Sequence, residues 1–280
     1  MSGPTAPHGV MPGAEPFAFP GGWVSGEAPN GRTGVLLVHG FTGTPMSMRP
    51  WGEHLAAEGF AVSCPLLPGH GTRWQDCNAS THDQWTTTVE NAFDELAAEC
   101  DRVFVAGLSM GGTLSIRLAQ VRADDVAGLL LVNPALLSTR LAVRFLLPMI
   151  ARITPSQPPI ASDIKKPGVT ELAYPKLPTR ALVQLTKLWA VTRAELGRVT
   201  APTIVFHSRE DHVVEPVNTE ILLAGIGSTD TTEVLLENSY HVATLDNDAP
   251  RIFAGSVDWI RERVPAGETP GTGSPAAETR

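Results

Sequence analysis

The residues that could do chemistry begin at Ser109, which stands between Gly107 and Gly111 in a G-x-S-x-G string. A serine hydroxyl is a weak nucleophile until a base takes its proton, and the base needs an acid partner to fix its tautomer. Where such a serine sits on a sharp strand-to-helix turn, the partners follow in the chain order Ser, Asp or Glu, then His. Three histidines follow Ser109: His207, His212 and His241. His207 falls inside the apolar run "PTIVFHS", where a hydrogen-bonded core histidine is expected, and His212 directly follows Asp211, too close to be its partner. His241, in "LENSYHVATLDNDAP", is the expected base; Asp211, in "HSREDHVVEP", is the expected acid, with Glu210 beside it as competitor. An oxyanion hole needs two N–H donors aimed at one point. The expected donors are Met110, next to the nucleophile, and Phe41 in "HGFTGTP", with His39 bracing that loop by hydrogen bonds.

Secondary-structure elements must bring these distant residues together. "GVLLVHG" (34–40) reads as a strand buried on both faces, "SMRPWGEHLAAEGF" as a helix and "AVSCPLL" as the next strand. Residues 83–99 put Trp85, Val89, Ala92, Phe93, Leu96 and Ala97 on one helical face, with Asp83 as the expected N-cap. The strand "RVFVAGLS", the helix "TLSIRLAQVRA" and the strand "VAGLLLVNPA" follow. Residues 135–190 are proline-rich and contain no clean strand. Alternation resumes with "PTIVFHS", a helix around "VNTEILLAGI", the strand "TEVLLEN" and a last helix near residues 249–263. This order predicts an α/β fold with a mostly parallel, doubly wound sheet and its site at the carboxyl ends of the strands. Ser109 then follows a strand and precedes a helix, whose N-terminus offers unpaired N–H groups to a developing oxyanion. The expected organisation is a partly ordered leader (1–33), a core (34–134 and 191–264), a cap insertion (135–190) and a disordered tail (265–280).

Composition narrows the class. A chain of 280 residues with 42% hydrophobic content suits one large domain with a sizeable core. A net charge of -8 without a Lys/Arg cluster argues against a nucleic-acid surface. Cys64, Cys77 and Cys100 fit no zinc spacing and are expected to be reduced and structural. The N-terminal stretch lacks the basic and apolar regions of a secretory signal, so the expected location is cytoplasmic. The most apolar piece, residues 141–153, is too short to span a bilayer and contains Arg144, Pro148 and Arg152. It carries Leu141, Phe145, Met149 and Ile153 at intervals of four. That stripe suits a cap helix facing an acyl chain or an interface, and equally a helix packed on the sheet, with Pro148 kinking it either way.

Together "HGFTG", "GLSMGG", "SREDHVV" and "SYHVATLDND" resemble the motifs of the α/β-hydrolase superfamily, in particular bacterial carboxylesterases and monoacylglycerol lipases of the Bacillus type. The resemblance spans roughly residues 34–263 and extends to "SDIKKPGVTELAYP" (162–175) and residues 225–248, stretches that a generic triad does not require. It implies Ser109, Asp211 and His241 as the triad, and Phe41 and Met110 as the oxyanion hole. It further implies a cap enclosing an apolar tunnel, with Glu171 binding glycerol hydroxyls; the alternative for Glu171 is a solvated surface carboxylate. The implied reaction is hydrolysis of monoacylglycerols through an acyl-enzyme, with no cofactor or metal. The nearest alternative is a carboxylesterase for short esters; more distant ones are an acyltransferase or thioesterase, and a non-enzymatic binding protein. The expected partners are a small-molecule lipid ester and, transiently, a membrane or micelle surface. With an unperturbed His241, activity would fall below a pH of about 6 to 7.

Overall fold

Apolar runs too hydrophobic for one-sided burial form the centre of the molecule, because helices cover both faces of the sheet they build. The computed structural model describes residues 9–26, 30–159 and 162–264; the expected tail (265–280) and the first eight residues of the leader lie outside these. In chain order the elements are β1 (Phe17–Phe19), β2 (Thr33–Val38), α1 (Arg49–Ala57), β3 (Ala61–Cys64), α2 (Trp74–Ala79), α3 (His82–Ala97), β4 (Arg102–Leu108), α4 (Met110–Val121) and β5 (Val126–Val132). There follow α5 (Leu147–Ile153), β6 (Ser156–Gln157), β7 (Leu177–Pro178), α6 (Thr179–Ala194), β8 (Thr203–Ser208), α7 (Val217–Gly225), β9 (Thr231–Leu236) and α8 (Ala249–Arg261). The main sheet runs β1-β3-β2-β4-β5-β8-β9. All neighbours are parallel except β1, which lies antiparallel along the edge of β3.

Alternation along β2 explains the double covering. Leu36 and Val38 join the cluster that holds Trp85, Val89 and Phe93 of α3 and Leu114 of α4. Val35 and Leu37 join the opposite cluster, with Trp51 and Leu55 of α1 and Ile252 and Ile260 of α8. The strand order reverses between β2 and β4, since β3 lies on one side of β2 while β4 and β5 lie on the other. Chain segments leaving the two adjacent strands diverge there and leave a crevice at their carboxyl ends. The Phe41 loop follows β2 and Ser109 follows β4, so both open into that crevice.

One expectation is corrected. Helix α3 is capped by Thr81 and not by Asp83: the Thr81 hydroxyl accepts the Gln84 N–H at 3.3 Å while the Gln84 side chain accepts the Thr81 N–H at 3.0 Å, a reciprocal capping box. In the insertion, residues 142–146 form a π-helical turn that passes at Leu147 into α5, with Pro148 in its first turn. Of the expected alternatives for the stripe, its exposure fits an interface-facing helix, not one facing an acyl chain or packed on the sheet. Leu141, Phe145, Met149 and Ile153 are 60–79% exposed, whereas Leu147 and Ala151 are buried and Val143 lines a cavity. Positions two residues apart lie on nearly opposite sides of a helix. The segment therefore carries two apolar ladders, and the one with smaller side chains turns inward. Helix α6 runs across residue 190, from Thr179 to Ala194.

Candidate active site

Ser109 sits at φ 56°, ψ −116°, at the junction of β4 and α4. A non-glycine residue reaches such a conformation only where its surroundings enforce it. The enforcement is steric: a Cβ on Gly107 would come within 2.3 Å of the Gly111 backbone, and one on Gly111 within 1.9 Å of the Val38 carbonyl oxygen. The N–H of Ser109 is tied to the Val132 carbonyl at 3.0 Å, while its own carbonyl accepts from Thr113 and Ala135.

The other residues come from loops at the same end of the sheet. Asp211 follows β8 and His241 follows β9, and the His241 Nδ1–H donates to Asp211 Oδ2 at 2.7 Å. Asp211 Oδ1 accepts the N–H groups of Val213 and Val214, both at 2.8 Å, so the carboxylate is held from both sides. Both side chains are at least nine-tenths buried. This arrangement puts the lone pair of His241 on Nε2. Ser109 and His241 line one cavity, and no hydrogen bond joins them among the described residues. Burial alone would favour the neutral ring, but the charge and hydrogen bond of Asp211, followed by Glu171 and Asp163, outweigh it and hold the His241 pKa above 6.5.

Phe41 also lines the cavity, and Met110 is the first residue of α4. Neither backbone N–H is engaged by another group among the described residues. His39 fixes the direction of the first. Its Nδ1–H donates to Gly40 O at 2.9 Å, its Nε2 accepts the Leu67 N–H at 3.2 Å, and burial pushes its pKa down to about 3. The Gly40 carbonyl and the Phe41 N–H belong to one planar peptide unit, so anchoring the oxygen sets where the N–H points.

Of the competitors, Glu210 is exposed and pairs with Lys165 at 3.0 Å. His207 contacts Glu233 at 2.8 Å through Nε2, but its buried Nδ1 has no partner, so it is only half satisfied. His212 contacts Asp163 at 2.8 Å. Glu171 is no surface carboxylate: it lines the cavity, burial pushes its pKa up to about 7, and a Cβ on Gly43 would approach its Oε1 to 2.5 Å. Most of the remaining wall is apolar and comes largely from the insertion, with Val143, Leu177, Leu182, Leu185 and Trp189, although Arg140 and Asp163 also line it.

Sequence reasoning missed three polar residues that frame this site. Asn133, at φ 45°, donates to the His241 carbonyl at 2.7 Å and accepts the Ser208 N–H at 2.7 Å, joining the ends of β5 and β8 to the His241 loop. Buried Asp246 accepts N–H groups from Lys165, Lys166, Tyr240 and Asn247, all within 2.8 Å. Asp163 accepts the N–H groups of His212 and His241. No group of three or more potential metal ligands occurs among the described residues, nor is any helix there long and apolar enough to cross a membrane.

Known proteins share this organisation. The family described as serine aminopeptidase S33 (Hydrolase_4) matches residues 29–248. Over 259 residues, 91% of this chain and 97% of the relative, the sequence is 44% identical to a thermostable monoacylglycerol lipase of Bacillus sp. strain H-257. It is 24% identical to a carboxylesterase of Bacillus subtilis strain 168, over 88% of this chain and 98% of that one. A solved structure from the work on LipS and LipT, two metagenome-derived lipolytic enzymes, superposes with a TM-score of 0.85 at 43% identity, covering 90% of this chain and 99% of that one. A soluble variant of Saccharomyces cerevisiae monoglyceride lipase shares the fold, with a TM-score of 0.70 at 18% identity over 89% of this chain and 91% of that one.

Proposed function

The chain belongs to the Hydrolase_4 family of α/β-hydrolases, described as serine aminopeptidase S33, and from that premise we propose that it hydrolyses monoacylglycerols to fatty acid and glycerol. It is a carboxylic ester hydrolase. The observation that carries the substrate reading is the cavity itself, whose apolar wall shares its space with Ser109, His241 and the buried carboxyl of Glu171. A long acyl chain gains from the wall, and a glycerol leaving group gains from the carboxyl.

Ser109 Oγ attacks the ester carbonyl as His241 Nε2 takes its proton, Asp211 stabilises the imidazolium, and the N–H groups of Phe41 and Met110 bind the oxyanion. Collapse expels glycerol, which takes the proton from His241. Water, deprotonated by the same nitrogen, attacks the acyl-enzyme; the acyl–oxygen bond breaks, the proton returns to Ser109, and the fatty acid leaves. The outward ladder of Leu141, Phe145, Met149 and Ile153 is where the protein rests transiently on a membrane or micelle, since contact with lipid would remove that apolar surface from water. Three buried, unpaired thiols suit a reducing compartment, the cytoplasm.

Turnover of monoacylglycerols of several chain lengths, measured against di- and triacylglycerols, short simple esters and an aminoacyl anilide, tests the reading. Monoacylglycerols are expected to have the highest kcat/KM. Preference for short esters would favour the carboxylesterase reading suggested by the Bacillus subtilis relative, and preference for the anilide would overturn ester hydrolysis as the main activity.

His241 must be neutral to accept a proton, so activity is expected to fall as pH drops through a midpoint above 6.5. Glu171→Gln should lower that midpoint slightly, because the carboxyl raises it only to the extent that it is ionised, and burial pushes its own pKa up to about 7. The same change should raise KM for monoacylglycerol about 3- to 10-fold, roughly the loss of one hydrogen bond, while sparing short simple esters. Unchanged KM and midpoint would remove Glu171 from the site.

A further inference from the structure

One carboxylate from the insertion holds the loops of both the acid and the base. Asp163 Oδ2 accepts the N–H of His241 and that of His212, each at 3.1 Å, and Oδ1 accepts from His212 Nδ1 at 2.8 Å. The Asp163 backbone carbonyl accepts the next N–H along, that of Val242, at 3.1 Å. The base is thus grasped at its own amide and at its successor's, and the acid is grasped at the residue that follows it. The Asp163 side chain is 13% exposed and its bond to the His241 N–H is partly buried, whereas the His212 side of the contact is open to water.

The strap carrying Asp163 is itself fixed. Two residues farther on, the N–H groups of Lys165 and Lys166 donate to Asp246 at 2.7 and 2.8 Å, and Asp246 Oδ2 also takes the N–H of Tyr240, the residue before the base. The insertion and the His241 loop therefore share two carboxylates within a few residues, Asp246 buried and Asp163 half-buried. The contact between His241 and Asp211 has to be short and directional, and a displacement of about 1 Å at a catalytic group can cost about 100-fold in rate.

We infer that Asp163 is a positioning residue, setting the separation of the Asp211 and His241 loops so that seating the cap insertion and assembling the triad are one event. The inference rests on the reading of Ser109, Asp211 and His241 as the triad. It assigns Asp163 no contact with the reacting atoms; it acts through the placement of two others.

The test uses the full chain with Asp163→Asn and Asp163→Ala, reading the rate of fluorophosphonate labelling at Ser109 together with kcat and KM on a short soluble ester. Asparagine keeps an oxygen that can accept both backbone N–H groups but loses the charge; alanine keeps neither. Alanine is expected to lower kcat and the labelling rate about 10- to 100-fold with KM within about threefold, and asparagine to recover most of the loss. Should the alanine chain not accumulate in folded form, Asp163→Ser, too short to span both N–H groups, replaces it with the same expected loss. Labelling and kcat within twofold of wild type for the alanine or serine chain would overturn the inference. Equal losses in both Asp163 variants, with a shifted acid limb, would also overturn it by showing that charge matters and placement does not. Failure of the wild-type chain to label would instead overturn the triad.

Discussion

Replacing Ser109 with alanine is expected to cut ester turnover about 10⁴- to 10⁶-fold, the scale on which triad enzymes lose rate when the nucleophile goes. The change removes only Oγ, which holds no hydrogen bond among the described residues, so no buried partner is left unsatisfied. The backbone at φ 56° is enforced by Gly107 and Gly111 and does not depend on the hydroxyl. The variant should therefore fold with an unfolding midpoint equal to or above wild type, as expected where a strained functional group is relieved of its task. Turnover near wild type on a monoacylglycerol would show that another group attacks the ester. Lost turnover accompanied by a collapsed midpoint would show only that the chain had unfolded, so both quantities must be measured on one preparation.

Gly111→Ala is expected to damage fold and activity together. The added methyl would stand 1.9 Å from the Val38 carbonyl oxygen and 2.8 Å from that of His39. Both are backbone atoms at the end of β2, so no rotamer change relieves the clash. Either β2 or the Ser109 turn must move, and His39 orients the Phe41 N–H from that same strand end. A loss of about 3 kcal/mol or more in denaturant unfolding, with turnover near background, is the expected outcome, at the upper end of overpacking effects. Gly112→Ala is the internal comparison: its methyl would meet the Pro134 Cβ at 2.9 Å and Cα at 3.1 Å, a rigid contact but a milder overlap than the 1.9 Å at Gly111, and the loss should be smaller. Equal stability and activity in Gly111→Ala and wild type would mean that the turn tolerates relaxation the contacts forbid.

Much of this was legible in the sequence wherever the signal was local. A strand covered on both sides reads as an unbroken apolar run, as "GVLLVHG" and "VAGLLLV" do, and the residue after such a run lies at a carboxyl end by construction. Ser109, Asp211 and His241 could be placed on three such ends without any contact being known. The short or diluted elements were not legible. β1 has three residues and α2 six, too few for a period to emerge, and the proline-free α6 begins directly after Pro178, so the proline-rich run before it hides where the helix starts. The α3 cap was misassigned because Asp83 is a good capping type, whereas the reciprocal pair of Thr81 and Gln84 decides it. The frame around the site was hidden for a different reason. Asn133 meets the His241 carbonyl 108 positions away, and Asp163 meets the His241 amide 78 positions away. No local spacing encodes such pairs. The inward turn of residues 143, 147 and 151 was equally hidden, because two apolar ladders share one helix and only the fold chooses between them.

The short strand contributed by the leader bears on how the molecule behaves in a crowd of its own kind. Without β1, the sheet would end on β3 and present a row of open amides and carbonyls, a template on which another chain could add itself. β1 occupies that row over Phe17, Ala18 and Phe19, and Pro16 and Pro20 stand immediately on either side of it. Proline has no N–H to offer to a further strand. A three-residue strip bounded in this way ends the sheet on the β3 side without becoming a new template, which leaves the opposite edge, β9, as the one that another chain could extend.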